Sequence, residues 1–289
     1  MAWADRAHAA LVSLDLDAVR AAPGVAAVVT TADIPGHADI SPVGKGDEPV
    51  FATDTVQFWG QALFAVAAEH VAVARAAATR AVVTYEDLPP VLDVDTARSK
   101  EDYVWPPARF ARGDVEAGLG QRPRQLGGRL SIGGQDHFYL EGHVALAIPG
   151  EDGEMTVFSS TQHPSEVQHM VAHVLGVPSH SVTVEVRRVG GGFGGKETQG
   201  NLFACVAALV ARKTGRPAKC RLDRDDDMIM TGKRHDFTVD YRLGFAADGR
   251  IRAVDMHFAS RCGYSADLSG PINDRALFHA DNCYFYPDV

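Results

Sequence analysis

Five glycines fall within six positions at Gly190-Gly-Gly-Phe-Gly-Gly195, and Lys196 and Glu197 follow directly. A helix or strand interior disfavours such a run, because glycine gives up the most backbone freedom on ordering. The run is therefore a loop whose main chain turns tightly or comes close to something else. It stands between a strand-like stretch, 181–189, and an apolar helical stretch, 198–213. A helix start behind such a loop offers free N–H groups to an anion. The residues alone leave three readings open. Gly190, Gly192 and Gly195 satisfy the dinucleotide spacing Gly-x-Gly-x-x-Gly, but the ribose-binding acid expected ~20 residues on is missing. The nearest acids, Asp223 and Asp225-Asp226-Asp227, lie further along. Gly190, Gly195 and Lys196 approach a P-loop, with Glu197 where a magnesium-binding Ser or Thr belongs. The third reading is a tight turn that packs strand against helix.

The rest of the chain bounds the class. Its 28 Lys+Arg against 37 Asp+Glu give a net charge of −9, which argues against nucleic acid or an anionic membrane as the main partner. No stretch approaches the ~18 consecutive apolar residues of a membrane span. The start, Met1-Ala-Trp-Ala-Asp5-Arg6, lacks the order of a secretion signal, so a soluble cytoplasmic protein is expected. Cys205, Cys220, Cys262 and Cys283 form no Cys-x-x-Cys pair, which excludes zinc ribbons and iron–sulfur clusters within the chain. Cys205 sits in an apolar helical run and reads as a small buried hydrophobe.

The hydrophobic pattern predicts strands at 8–14, 26–29, 62–67 and 81–85, with helices at 15–24 and 70–80. A connector follows, carrying Trp105-Pro106-Pro107 and a helical turn near 114–119. Strands are then expected at 129–132, 144–148 and 155–158, the last two joined by Pro149-Gly-Glu-Asp-Gly153 as a hairpin. A helix over 164–175, strands at 237–245 and 250–259, and a helix over 272–278 complete the reading. The class is α+β: a small α/β domain at 1–100, a connector at 101–125 and a mixed domain at 126–289. His169 and His173 lie four apart on one helix face, and a solvated face is the expectation there. The Asp223–Asp227 cluster reads as a helix start.

Three segments together carry a resemblance. The glycine loop resembles the cofactor loop of the molybdenum hydroxylases, the xanthine dehydrogenase and aldehyde oxidase family. Gly133-Gly-Gln-Asp-His-Phe-Tyr-Leu-Glu141 is similar to a second signature of the same molybdenum-binding subunit, with Asp136 where the family often has Glu. Asp274-Arg-Ala-Leu-Phe-His279 resembles its substrate-arginine segment. The resemblance implies a hammerhead-like α/β domain at 1–100 and the first molybdopterin-binding domain at 126–289. It implies that the Gln135 amide and the Phe193 and Gly194 backbone N–H groups face oxygen ligands of molybdenum. The metal itself would be held by the dithiolene sulfurs of molybdopterin.

Glu197 and Arg275 match the polar pair that marks purine oxidisers, and hypoxanthine and xanthine oxidised to urate are the implied reactions. Oxidation at a purine carbon builds negative charge on the heterocycle, which a fixed guanidinium stabilises most in the transition state. The [2Fe–2S] and FAD groups would sit on a partner chain. The family's general base, a glutamate in the second half of a longer subunit, has no match here. The resemblance therefore implies a piece shortened at both ends and inactive alone. Other classes stay open: a nucleotide-binding enzyme using the loop for phosphates, and a non-catalytic assembly fragment.

Overall fold

The protein is described by a computed structural model covering residues 1–121 and 124–289. The part of the expected connector at 122–123 lies outside the described residues. In chain order the elements begin with β1 (Ala2–Trp3), β2 (Ala9–Asp15), α1 (Asp17–Arg20), β3 (Val25–Val29), β4 (Thr55–Val56) and β5 (Ala62–Ala68). Next come α2 (Val71–Ala78), β6 (Val82–Asp87), α3 (Val94–Ser99), α4 (Val115–Gly120) and β7 (Arg124–Ile132). They are followed by β8 (Val144–Pro149), β9 (Met155–Ser159), α5 (Pro164–Leu175), β10 (Val182–Glu185) and α6 (Gly200–Thr214). The last are β11 (Ala218–Arg221), α7 (Arg224–Met230), β12 (Asp236–Phe245), β13 (Ile251–Arg261) and α8 (Ser269–Phe278). The class is α+β, as the pattern predicts. Backbone contacts group the described residues into two units: Met1–Pro90 with Asp136–Lys233, and Val91–Gln135 with Arg234–Val289.

The first unit is organised around α6. Its sequence, Gly-Asn-Leu-Phe-Ala-Cys-Val-Ala-Ala-Leu-Val-Ala, is apolar on almost every face, and a helix of that kind has to be enclosed. It packs on β8, β9, β11, β3 and α5, and Phe203, Cys205, Ala208 and Leu209 are buried. Burial raises the Cys205 thiol well above its ordinary value, so it behaves as the small hydrophobe expected. The sheet beside it runs β10-β9-β8-β11. β8 and β9 form the predicted antiparallel hairpin, and β10 returns parallel to β9 after α5. α5 begins with Pro164 in its first turn and ends at Gly176, whose φ of 64° closes it in the left-handed region. The predicted helix over 164–175 matches these bounds.

One large core joins distant parts of this unit. Val29, Val50, Phe51 and Ala62 belong to it together with Val157, Val171, Phe203 and Met230. A smaller core holds Leu16, Val19, Val28, Leu63 and Phe64. Around it lie the sheets β1-β5-β3 and β4-β2-β6.

The second unit holds the sheet β13-β12-β7, with α3 and α4 packed against it. Its register aligns Leu130, Val239 and Phe258 on one face, and Arg129, Asp240 and His257 on the other. Arg129 and Arg98 both bind Asp240, at 2.5 Å and 2.8 Å, which ties α3 to the charged face. On α4, the Asp114 side chain accepts from the Ala117 N–H, and Gly118 lets the helix come close to Ala253.

Several expectations need correction. The strand expected at 181–189 stops at Glu185, because its partner β9 ends at Ser159. The strand expected at 129–132 begins at Arg124 and pairs with β12, away from the β8–β9 hairpin. The helix expected over 15–24 spans only Asp17–Arg20, and α3, β4 and β11 carried too little pattern to be anticipated.

Candidate functional site

The loop departs from its expected setting in one respect. β10 ends at Glu185 and α6 begins at Gly200, so the glycines do not open directly onto a helix start. They curl through a turn in which Gly195 N–H donates to Gly192 O at 2.8 Å. Phe193, at φ 55°, and Gly194, at φ 92°, both take left-handed backbone. A Cβ at position 195 would stand 2.6 Å from the His137 ring, so the glycine there is demanded by close approach.

Side chains around the loop take up several of its polar groups. Gln162 Oε1 accepts from the N–H groups of Gly194 at 3.0 Å and Lys196 at 3.2 Å. Its own N–H donates to Lys196 O at 2.8 Å. Glu141 Oε2 accepts from Gly190 N–H at 2.8 Å, Ser160 Oγ at 2.6 Å and Lys196 Nζ at 3.2 Å. Burial favours the neutral acid at Glu141, but the bonds from Ser160, Gly190 and Lys196 outweigh it and hold the carboxyl below its ordinary value. The Lys196 side chain is 0% exposed and lies over the Tyr139 ring. Its ammonium is turned inward, away from any ligand on the outer side of the loop, and burial pulls its pKa down against the pull of Glu141. Among the described residues, the N–H groups of Gly191, Gly192 and Phe193 take no partner. Three consecutive main-chain donors in a turn of mixed handedness suit an oxygen-rich anion.

Beneath the loop lies a second buried set. Tyr139 Oη donates to Asp227 Oδ1 at 2.6 Å, and His143 N–H donates to Asp227 Oδ2 at 2.7 Å. Burial and the Asp227 carboxylate raise the Tyr139 phenol. His143 is 1% exposed, and burial lowers its pKa to about 4.

The sequence-derived site residues fall in both units. Phe193, Gly194 and Glu197 lie together on the loop of the first unit. Phe193 is 74% exposed, and its N–H is among the open donors. The Gly194 N–H is already bound to Gln162, so in this conformation it is not available to a ligand. Glu197 is exposed, and no described side chain pairs with it.

Gln135 and Arg275 belong to the second unit. Gln135 Oε1 accepts from Arg234 Nη1 at 2.7 Å, and its backbone O accepts from Arg234 N–H at 3.1 Å. The amide oxygen is thereby held, and the NH2 is left as the free donor. His235, next in the chain, is 2.8 Å from Ser269 Oγ at the start of α8. Arg275 lies six residues further along that helix, ~9 Å by helical rise. Its guanidinium is exposed and forms no ion pair with a described residue. The strand end at Arg234–His235 thus brings Gln135 and α8 to the same end of β12.

Sequence reasoning missed Gln162, Ser160, Asp227, His143 and Arg234. Each acts through a contact with a residue far along the chain, and none carries a local pattern. His169 and His173 are exposed, as expected, and His173 stacks on His37 with ring centroids 4.3 Å apart. Among the described residues no group of three or more His, Cys, Asp or Glu side chains could hold a metal ion. No helix of the described residues is long and apolar enough to cross a membrane.

Residues 97–289 match the molybdopterin cofactor-binding domain family, and residues 1–89 match the aldehyde oxidase and xanthine dehydrogenase a/b hammerhead domain. The chain belongs to the molybdopterin cofactor-binding family. The chain is 43% identical over 285 residues to a xanthine dehydrogenase/oxidase of Gallus gallus, an alignment covering 98% of this chain and 21% of that protein. It is 40% identical over 284 residues to a xanthine dehydrogenase of Dictyostelium discoideum, with the same coverage of each. The chain thus spans about a fifth of the length of these curated relatives. Among solved structures, the aldehyde oxidoreductase of Desulfovibrio gigas aligns with a TM-score of 0.79 and 26% identity, covering 90% of this chain and 30% of that one. Quinoline 2-oxidoreductase of Pseudomonas putida 86 aligns with a TM-score of 0.78 and 26% identity, covering 89% and 35%. In the first unit the N–H groups at 191–193 are donors without a partner among the described residues, and in the second unit the Gln135 NH2 is an exposed donor; each by itself suits an oxygen acceptor.

Proposed function

We propose that the chain forms the substrate-facing part of a molybdenum hydroxylase that oxidises purines, taking hypoxanthine and xanthine to urate. The observation that carries this reading is that Glu197 and Arg275, each without a charge partner among the described residues, lie in segments that align with curated xanthine dehydrogenases. Molybdopterin, when bound, would supply the redox chemistry, taking up the two electrons released as the purine gains an oxygen from water. Gln135 and Phe193 would contact its oxygen ligands as donors, and Gly194 would join them only if its bond to Gln162 opened. Glu197 accepts hydrogen bonds from ring N–H groups and orients the base. Arg275 faces a purine oxygen and stabilises the negative charge that grows on the ring during oxidation. An aldehyde substrate needs neither group.

The proposal extends to the assembly. The [2Fe–2S] and FAD groups belong to a partner chain, and the general base comes from a further stretch of molybdenum subunit. A cytoplasmic setting and the division into 1–100, 101–125 and 126–289 form part of the same reading. The purified chain alone is expected to give no steady turnover of xanthine with a dye acceptor, and measurable turnover would overturn that part. In a complex reconstituted with the complementary parts, Arg275→Met should reduce kcat/KM for xanthine by about 100-fold or more, as loss of a transition-state charge contact does. Aldehyde turnover should change little. Equal losses on both substrates would contradict the role given to Arg275. Tight binding of NAD or ATP with no effect of purine would favour phosphate recognition by the loop instead.

A further inference from the structure

One carboxylate oxygen touches both ends of the glycine loop. Glu141 Oε2 holds Gly190 N–H at 2.8 Å where the loop begins, and Lys196 Nζ at 3.2 Å where it ends. Ser160 bridges the two, donating to Glu141 Oε2 at 2.6 Å and accepting from Lys196 Nζ at 2.8 Å. Glu141 N–H donates in turn to Gly190 O at 3.1 Å. The fit is close enough that a Cβ on residue 190 would lie 2.5 Å from the Glu141 Cβ. The ammonium is fully enclosed while the Glu141 side chain is 39% exposed, so water screens the pair only from the carboxylate side. The open donors at 191–193 lie on the stretch between these two fixed ends.

We propose that Glu141 is a positioning residue that closes the base of the glycine loop, so that the Gly191–Phe193 N–H groups are presented as a preformed set of donors. The role follows from geometry. Without a shared acceptor the loop would be fastened mainly at its far end, by Gln162 and Thr161. The link to molybdopterin rests on the reading of the loop as a cofactor contact, whereas closure of the loop does not.

The test separates the acceptor from the buried charge. Glu141→Leu with Lys196→Met removes the ion pair and the acceptor together, leaving no isolated buried charge. Glu141→Gln with Lys196→Met removes the same charges but keeps an oxygen for Gly190 N–H and Ser160. Hydrogen exchange is then measured on the 289-residue chain at the amides of Gly190, Gly194, Gly195 and Lys196. The leucine pair is expected to speed exchange there by about tenfold or more, beyond any change in global unfolding. The glutamine pair should stay near wild type.

Unchanged exchange in the leucine pair, or the same increase in both pairs, would overturn the proposal. Molybdenum per chain, measured by mass spectrometry on protein from cells that make the cofactor, tests the underlying reading separately. A loosened loop with molybdenum equal in all three proteins would remove the loop from the cofactor site and leave the role of Glu141 standing.

Discussion

Neither Glu197 nor Arg275 is neutralised by a described neighbour, whereas Arg75, Arg129 and Arg242 each bind two carboxylates. His143 shows the opposite condition, a titratable ring enclosed beside Asp227 with its pKa lowered to about 4. A depressed histidine adds stability above its ordinary pKa and loses it as the pH falls toward the folded value. Thermal unfolding of the wild type should therefore weaken between roughly pH 6.5 and 4, by up to ~3 kcal/mol from this group. His143→Leu should flatten that part of the profile, and a slope identical to wild type would show that the ring titrates normally. Residues of this kind could not be read in advance. Glu197 and Arg275 were singled out as candidates because they sit inside recognisable strings. His143 and Lys196 were not, since what matters about them is enclosure by residues 4 to 84 positions away.

At the scale of elements, α5 and α6 were read from apolar spacing, and Gly176 and Gly215 end them in left-handed backbone at φ 64° and 66°. Phe203 on α6 is 2% exposed, so Phe203→Ala should lower unfolding free energy by ~3–5 kcal/mol in a denaturant titration. A loss under ~1 kcal/mol would mean that the helix is less enclosed than its contacts indicate. On α4 the cap is local, and Asp114→Ala should cost only ~1 kcal/mol by the same measurement. β10 marks the limit of such reading. Val184, Val186 and Val189 continue an extended pattern past Glu185, but a strand lasts only as long as its partner does, and β9 ends at Ser159. The glycine loop shares this limit. Its composition announced close approach, and only the fold showed that the approach is to Gln162, Glu141 and His137.

For the whole molecule, the large core is the deciding feature. Val50 and Phe51 are completely buried, in a cluster with Val157, Val171 and Phe203. A fragment limited to residues 1–100 would keep the smaller core of Leu16, Val19, Val28, Leu63 and Phe64 but expose that apolar surface. It should bind a hydrophobic dye and unfold with reduced cooperativity, whereas the full chain should not bind the dye strongly at this surface. A sharp, dye-free transition in the fragment would show that the smaller core suffices.

The residues by themselves determined the α+β class, the course of the long helices and the presence of a glycine loop suited to close approach, because these depend on neighbours within a few positions. The tertiary structure alone decided which donors of that loop remain open, which side chains close its base, and that residues 1–90 share a core with 136–233. Those outcomes depend on burial and on pairing across long separations, and a local pattern holds no record of either.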